Sequence, residues 1–133
     1  MSSFTVEQAN RTLPLVRKIV RDIVDSHRVW REKILELDLV ASASGAAAPD
    51  ERQVALEREV QALAREIDAF ERELGALGIV LKDRRLGLVD FPSELDGREI
   101  LLCWRLGEPE VQYWHDVDAG FAGRQPLAPS GAM

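Results

Sequence analysis

The sequence predicts an α+β protein, in which a long, coiled-coil-like antiparallel helical hairpin packs with a small antiparallel meander sheet of about four strands. Apolar side chains recur at alternating steps of three and four through residues 13–37 and again through residues 56–77. This spacing is typical of two helices that share one seam. After residue 77 the pattern changes to short apolar runs separated by turn residues, which indicates strands. A chain of 133 residues is about the length of one domain, so we expect a single domain over residues 1–133.

The first helix is predicted over residues 5–40. Thr5 followed three residues later by Gln8 is a capping box, and Pro14 suits a helix restart or a first turn rather than a helix centre. His27 is the polar member of the seam that follows. The seam residues are Leu13, Val16, Val20, Ile23, His27, Trp30, Ile34 and Leu37.

Residues 41–50 form a predicted linker of small residues, and the second helix is predicted over residues 51–77. A linker this short folds the second helix back antiparallel to the first, which brings Leu37 near Leu56 and His27 near Ile67. Gly78 is placed to end the helix in a left-handed conformation. The second seam consists of Leu56, Val60, Leu63, Ile67, Phe70, Leu74 and Leu77.

The predicted sheet occupies residues 79–117, and residues 118–133 form a C-terminal loop and tail. Apolar runs at 79–82 and 88–91 flank a turn, and Pro92 is expected to end the second run. Residues 99–106 and 111–117 flank a second turn, Gly107-Glu108-Pro109-Glu110. The four runs therefore predict an antiparallel meander.

Counting residues outward from its turn predicts a register for the last hairpin with Trp104 opposite Tyr113 and Leu102 opposite His115. Asp90 and Asp116 would then flank Leu101 on the other face, where two carboxylates could serve acid and base chemistry. The face expected to cover the helices contains Ile100, Leu102, Trp104, Leu106, Val111, Tyr113 and His115.

Composition and charge narrow the classes of partner. The chain has 17 basic and 23 acidic side chains, and its two parts, residues 1–77 and 78–133, each carry a net charge of −3. Neither part offers the basic surface that nucleic acid or anionic membranes attract, so we expect no nucleic acid and no membrane partner. The N-terminus has no signal-peptide pattern, and the one cysteine, Cys103, lies in an apolar run. We therefore expect a cytoplasmic protein in which Cys103 is a buried hydrophobe rather than a nucleophile.

The closest cluster of metal-ligand residue types is His115, Asp116 and Asp118. Strand alternation directs His115 to one face and the two aspartates to the other, so a bend or bulge would be needed to join them. A divalent metal on these residues, in a binding protein or a metal-dependent enzyme, is the alternative hypothesis. No cofactor is otherwise predicted, and an enzyme is the less favoured class, because nucleotide loops and nucleophile elbows are missing from the sequence.

Several stretches are similar to a bacterial family known as domain of unknown function 2203. They are Phe4-Thr5 through Ala9-Asn10, Leu13-Pro14, Val80-Leu81-Lys82-Asp83, Gly87-Leu88-Val89-Asp90-Phe91-Pro92, Leu102-Cys103-Trp104-Arg105-Leu106-Gly107-Glu108, Trp114-His115 and Gly120-Phe121-Ala122-Gly123-Arg124. The resemblance implies a small bacterial cytosolic protein and implies no reaction. The polar residues Asp90, Glu108, His115 and Arg124 within these stretches are the candidate ligand-binding residues.

The leading functional hypothesis is a homodimeric binding or interaction module with a small-anion site near the C-terminal loop. Glycine N–H groups and the guanidinium of Arg124 could hold an anion there. The first helix carries more apolar surface than one partner helix covers, and a second copy of the chain is the economical source of further cover. This additional surface consists of Leu15, Ile19, Val24, Val29, Leu35 and Leu39.

Overall fold

A computed structural model describes residues 3–45 and 48–127 of the chain. Helix α1 spans Val6–Ser44 and helix α2 spans Glu51–Ala76. The predicted capping box of Thr5 and Gln8 is formed, and Asp50 caps α2. Helix α1 runs four residues beyond its predicted end, because small residues such as Ala41 do not interrupt a helix as glycine does. It ends at Gly45, which has a positive φ of 58°.

The two helices form the predicted antiparallel hairpin. Ion pairs cross the interface between Lys33 and Glu59 and between Arg52 and Glu36. The first half of the α1 seam is buried, whereas its second half, from His27 to Leu37, is half-buried. This difference arises because the first half of α1 joins the core that also includes one face of the sheet. The helical core residues are Ala9, Leu13, Val16, Ile19, Val20, Ile23, Ile67 and Leu74.

The strands form one antiparallel meander in the order β1 to β5. Their bounds are Val80–Asp83 for β1, Leu88–Leu95 for β2, Arg98–Arg105 for β3, Tyr113–Asp116 for β4 and Gln125–Pro126 for β5. The short strand β5 comes from the segment predicted as loop. It pairs with β4, and the Leu127 amide donates to the Gln112 carbonyl beside it, so backbone pairing rather than composition defines this strand.

Strand β2 continues through Pro92, so the prediction that this proline ends the strand was wrong. Pro92 lies opposite Leu101 of β3. On the other side of β2, pairing with β1 stops at Asp90, and the Pro92 carbonyl accepts from the Phe4 amide at 2.7 Å. The missing N–H of Pro92 therefore points away from the β3 ladder, where a proline is tolerated.

The register of β4 differs by one residue from the prediction. Leu102 lies opposite Trp114, Leu101 opposite His115 and Cys103 opposite Tyr113. The connection between β3 and β4 is a long, tethered loop and not a tight hairpin turn. This explains the slip of one residue in the register.

Within that loop, Glu108 returns to the end of β3, since its carboxylate accepts from the Arg105 amide and its own amide donates to the Arg105 carbonyl. The Val111 amide then donates to the side chain of Asn10 on α1. Counting residues across the turn could not reveal these tethers.

The slip reverses the faces of β4. Tyr113 and His115, which were expected to cover the helices, lie on the outer face, and Trp114 packs against the core instead. Asp116 lies opposite Ile100, and Asp90 lies opposite Cys103, so the expected pairing of Asp90 and Asp116 about Leu101 was also wrong. The core face of the sheet contains Val89, Phe91, Ile100, Leu102, Trp104 and Trp114.

Two glycines have positive φ for identifiable reasons. Gly78, with φ 85°, follows α2 as predicted, and Ile79 after it is buried. Gly87, with φ 68°, lies in the turn between β1 and β2, where an added Cβ would come within 2.8 Å of Val20 and Leu106. Glycine at 87 therefore allows the sheet to approach α1 closely.

Candidate functional site

The outer face of the sheet contains a buried cluster of three polar side chains, which we call the outer-face triad: Asp90, Cys103 and His115. Each comes from a different strand, β2, β3 and β4 respectively. Asp90 lies directly opposite Cys103, and His115 lies opposite Leu101, two residues along β3. One potential ligand atom of each residue lies within 4.8 Å of the other two. All three are at most 2% exposed, so solvent does not compensate their polar atoms.

The imidazole of His115 has a defined orientation. Its Nδ1 atom lies 2.8 Å from the backbone carbonyl of Asp116, and because a carbonyl only accepts, Nδ1 carries a proton and donates it. The other nitrogen, Nε2, lies 3.0 Å from Oδ1 of Asp90. In the neutral imidazole this places a lone pair against a carboxylate oxygen. A proton or another cation must therefore lie between them.

The carboxylate of Asp90 is only partly satisfied. Its Oδ2 atom is buried without a hydrogen-bond partner among the described residues, and the nearest cation is Nζ of Lys82 at 4.0 Å. Burial raises the pKa of the Asp90 carboxyl above its ordinary value, while the hydrogen bond to His115 acts in the opposite direction. The site thus retains acceptor capacity that no described protein group uses.

Cys103 is completely buried, as the sequence predicted. Burial raises the pKa of its thiol to about 11, and the positive charge of Arg124 only partly opposes this. A thiol with this pKa is a poor nucleophile at neutral pH. Cys103 is therefore a functional candidate through its sulfur as a ligand atom, a role that the sequence analysis missed.

Glu108 and Arg124, both predicted candidates, pair with each other. The two guanidinium nitrogens of Arg124 donate to the two carboxylate oxygens of Glu108 at 2.9 and 2.8 Å. The guanidinium carbon also lies 3.8 Å from the ring centroid of Tyr113 and 4.6 Å from that of Phe121. These contacts occupy the group that was expected to hold an anion.

The same arginine connects the C-terminal segment to the triad. Its Nη2 atom lies 3.5 Å from the backbone carbonyl of Cys103. Arg124 therefore holds residues 118–127 against the outer face beside the triad.

The metal ligands suggested by sequence spacing are placed apart. The Asp116 carboxylate pairs with Arg98 at 3.3 Å, and Asp118 is exposed beyond the end of β4. Across residues 3–45 and 48–127, the outer-face triad is the one group of three His, Cys, Asp or Glu side chains with ligand atoms this close. It retains His115 from the predicted set and replaces both aspartates with Asp90 and Cys103.

The alternation of side chains between the two faces of the sheet could have indicated this grouping. Once Trp114 rather than His115 is assigned to the core, His115 joins the face of Asp90 and Cys103. The bulkier and more apolar indole of Trp114 favours that assignment. All three residues of the run Tyr113-Trp114-His115 have aromatic rings, so rings lie on both faces of the strand. Alternation alone therefore does not decide which face packs against the core.

The model of one protein family, described as Uncharacterized conserved protein (DUF2203), matches residues 2–127. The chain belongs to this family. The matched region contains both helices, all five strands and every residue of the triad. No curated protein and no solved structure matches the chain. No helix within the described residues combines the length and the apolar character needed to cross a membrane.

Proposed function

We propose that this protein binds one transition-metal ion, with Zn²⁺ as the best-matched ion, through Asp90, Cys103 and His115. The observation that carries the proposal is the convergence of a carboxylate, a thiol and an imidazole, from three neighbouring strands, within 4.8 Å in a buried site. A buried group of this kind is costly unless its members are satisfied. A bound cation would satisfy all three.

The donor set favours a transition metal over Mg²⁺ or Ca²⁺. Thiolate and imidazole are ligands for zinc and related ions, whereas Mg²⁺ and Ca²⁺ prefer oxygen donors alone. Nδ1 of His115 donates to a backbone carbonyl, which is the outer-sphere contact that commonly orients a metal-binding imidazole. Nε2 is left to bind the ion.

The contact between His115 and Asp90 requires only a small adjustment, and the Cys103 sulfur, which lies within 4.8 Å of both ligand atoms, would move toward the ion. Ligand atoms around tetrahedral zinc lie roughly 3.3–3.6 Å apart, given bond lengths of about 2.0–2.3 Å. The His115 and Asp90 atoms are closer than this, at 3.0 Å, so metal binding would open that contact by a few tenths of an ångström. The ion would take the position that a shared proton occupies otherwise.

Burial favours a structural metal over a catalytic one. Catalytic zinc sites retain a coordination position that substrate can reach, whereas structural sites are closed to solvent with four ligands; here the three protein donors would need an enclosed water as the fourth. The triad is at most 2% exposed, and Arg124 holds the C-terminal segment beside it. We therefore propose that the metal fastens β2, β3 and β4 together.

The experiment uses untagged protein, loaded with Co²⁺ in place of Zn²⁺. A Co²⁺–thiolate bond produces a charge-transfer band, so Cys103 ligation is visible directly. We expect about one equivalent of Co²⁺ to produce the band and Zn²⁺ to abolish it by displacement. The variants Cys103→Ser, Asp90→Asn and His115→Gln should each weaken binding by at least about ten-fold.

Asp116→Asn and Asp118→Asn are the matched controls, because both remove a nearby carboxylate outside the triad. They should bind Co²⁺ as the wild type does. Loss of binding in either control, with an intact response in Cys103→Ser, would transfer the site to the ligands that spacing suggested. A wild-type protein that binds neither metal would overturn the proposal.

We propose self-association as a second property, supported by two exposed leucines on α1. Leu35 and Leu39 are 65% and 73% exposed and lie one turn apart near the tip of the hairpin. Ile19 and Val24, two other members of the predicted surplus, are covered within the chain, whereas Leu15 is 51% exposed near the other end of α1. A second copy that covers the tip would bury Leu35 and Leu39. A bacterial cytoplasmic setting stays part of the proposal, in accord with the free thiol of Cys103.

A further inference from the structure

A cavity of about 380 Å³ lies at the end of the outer face beyond the triad. Pro92, Leu101 and Val117 contribute apolar walls, and Glu94 and Glu99 line it as well. Its volume is at the lower end of the range for small-molecule sites. The cavity therefore has the size of a binding site for a small ligand.

The two glutamates of the cavity form a like-charged pair. Glu94 of β2 and Glu99 of β3 lie directly opposite each other, two residues from the Pro92–Leu101 pair on each strand. Because side chains alternate along a strand, both carboxylates share the outer face with Pro92 and Leu101. Directly opposed like charges destabilise a sheet. Across residues 3–45 and 48–127, no Lys, Arg or His side chain forms an ion pair with either glutamate.

We propose that this cavity binds a small amphipathic amine, a protonated amino group on a short apolar body. The ammonium group would lie between Glu94 and Glu99 and relieve their repulsion. The apolar body would lie against Pro92, Leu101 and Val117, which would otherwise contact water. An anion would meet repulsion from both carboxylates, and a neutral alcohol would leave that repulsion unrelieved. The charge pattern thus selects the sign of the ligand, and the apolar walls select its body.

The proposed amine site is separate from the proposed metal site. Leu101 lies opposite His115, so the cavity adjoins the triad, but Glu94 and Glu99 are not part of it. Amine binding needs no metal and no triad side chain. Failure of either proposal therefore leaves the other standing.

The test is an NMR titration of the full-length, ¹⁵N-labelled protein with hexylamine, hexanol and hexanoate at matched concentrations and pH 7. We expect hexylamine alone to give saturable shifts of amides in the Glu94–Leu101 hairpin and at Val117. Added salt should weaken this binding, because the carboxylates are exposed. Equal binding of hexanol, or shifts confined to other parts of the protein, would overturn the proposal.

Glu94→Gln and Glu99→Gln are the informative variants, because each removes one charge and preserves the shape of the side chain. We expect each to weaken hexylamine binding about three-fold and the double variant about ten-fold. Glu110→Gln is the matched control, since Glu110 is exposed and outside the cavity. Binding that is unchanged in the double variant, whose spectrum should confirm an intact fold, would contradict the assignment.

Discussion

Nε2 of His115 and Oδ1 of Asp90 lie 3.0 Å apart, although β3 lies between the strands that carry them. The contact passes over the face of β3 at Cys103, which lies opposite Asp90. The three residues therefore connect three strands on the outer face. The thiol of Cys103 provides a test that does not depend on metal loading.

The thiol of Cys103 should be almost inert in the folded, metal-free protein. Burial raises its pKa to about 11, so little thiolate exists at pH 8. We expect alkylation by iodoacetamide, followed by mass spectrometry, to be at least about 100-fold slower than for the same protein unfolded in guanidinium chloride. The unfolded sample is the control for reagent activity. Equal rates in the two states would show that the outer face opens readily and that the thiol is accessible.

His27→Leu should leave the protein as stable as the wild type at pH 7 or stabilise it by about 1 kcal/mol. His27 is a half-buried seam residue stacked on Trp30, with ring centroids 5.7 Å apart. An apolar side chain fits this seam without needing a hydrogen-bond partner. Urea unfolding measures the difference. A large destabilisation would mean that the imidazole makes a contact that leucine cannot replace.

The same variant should alter the acid response. Burial, followed by the charge of Arg31, lowers the pKa of His27 in the folded protein below 6.5. The stability that this shift contributes is fully present above pH 6.5 and is lost as the pH falls through the folded-state pKa. His27→Leu should therefore lose less stability than the wild type between pH 7 and pH 5. Parallel curves for the two proteins would contradict the direction of the shift.

Gly87→Ala should destabilise the fold by about 2–4 kcal/mol. The residue has a φ of 68°, and an added Cβ would meet Val20 and Leu106 at 2.8 Å. Gly97→Ala is a matched control, because Gly97 also has a positive φ, 77°, but has open space around it. It should cost about 1–2 kcal/mol from backbone strain alone. An equal loss of stability in the two variants, measured by thermal or urea unfolding, would show that the close approach of Gly87 to α1 does not contribute to the cost.

Arg124→Ala should loosen the C-terminal segment and leave the helical hairpin intact. The change removes the paired hydrogen bonds to Glu108 and the stacking on Tyr113. We expect a cost of about 1–3 kcal/mol, since the partly buried Glu108 carboxylate loses its partner. Hydrogen exchange should accelerate at the Leu127 amide and remain unchanged in α1. Unchanged exchange at Leu127 would show that β5 pairing holds the segment without Arg124.

Sedimentation equilibrium should give about twice the chain mass of 14.9 kDa at micromolar concentration. Replacing Leu35 and Leu39 with lysine should shift the protein to the monomer, because two charges would then face the partner. Leu15→Lys is the control, since Leu15 is 51% exposed but lies near the other end of α1. A wild-type monomer at these concentrations would refute self-association through the hairpin tip.

The sequence alone determined the helical hairpin and the core face of β3. Helical periodicity of 3.6 and strand alternation of two are local properties, so Leu13, Val16 and Val20 could be assigned to the seam, and Leu102 and Trp104 to the core, from spacing. The capping box at Thr5 and the glycine stop at Gly78 are equally local. All of these were predicted correctly.

The tertiary structure decided the register of β4 and, with it, the composition of the triad. Glu108 and Asn10 tether the loop before β4, and Asn10 is 101 residues from its partner Val111. A slip of one residue moves His115 from the core face to the face of Asp90 and Cys103. One of the two tethers, from Asn10 to Val111, comes from outside the hairpin, so local spacing could identify His115 as a candidate but could not identify its neighbours.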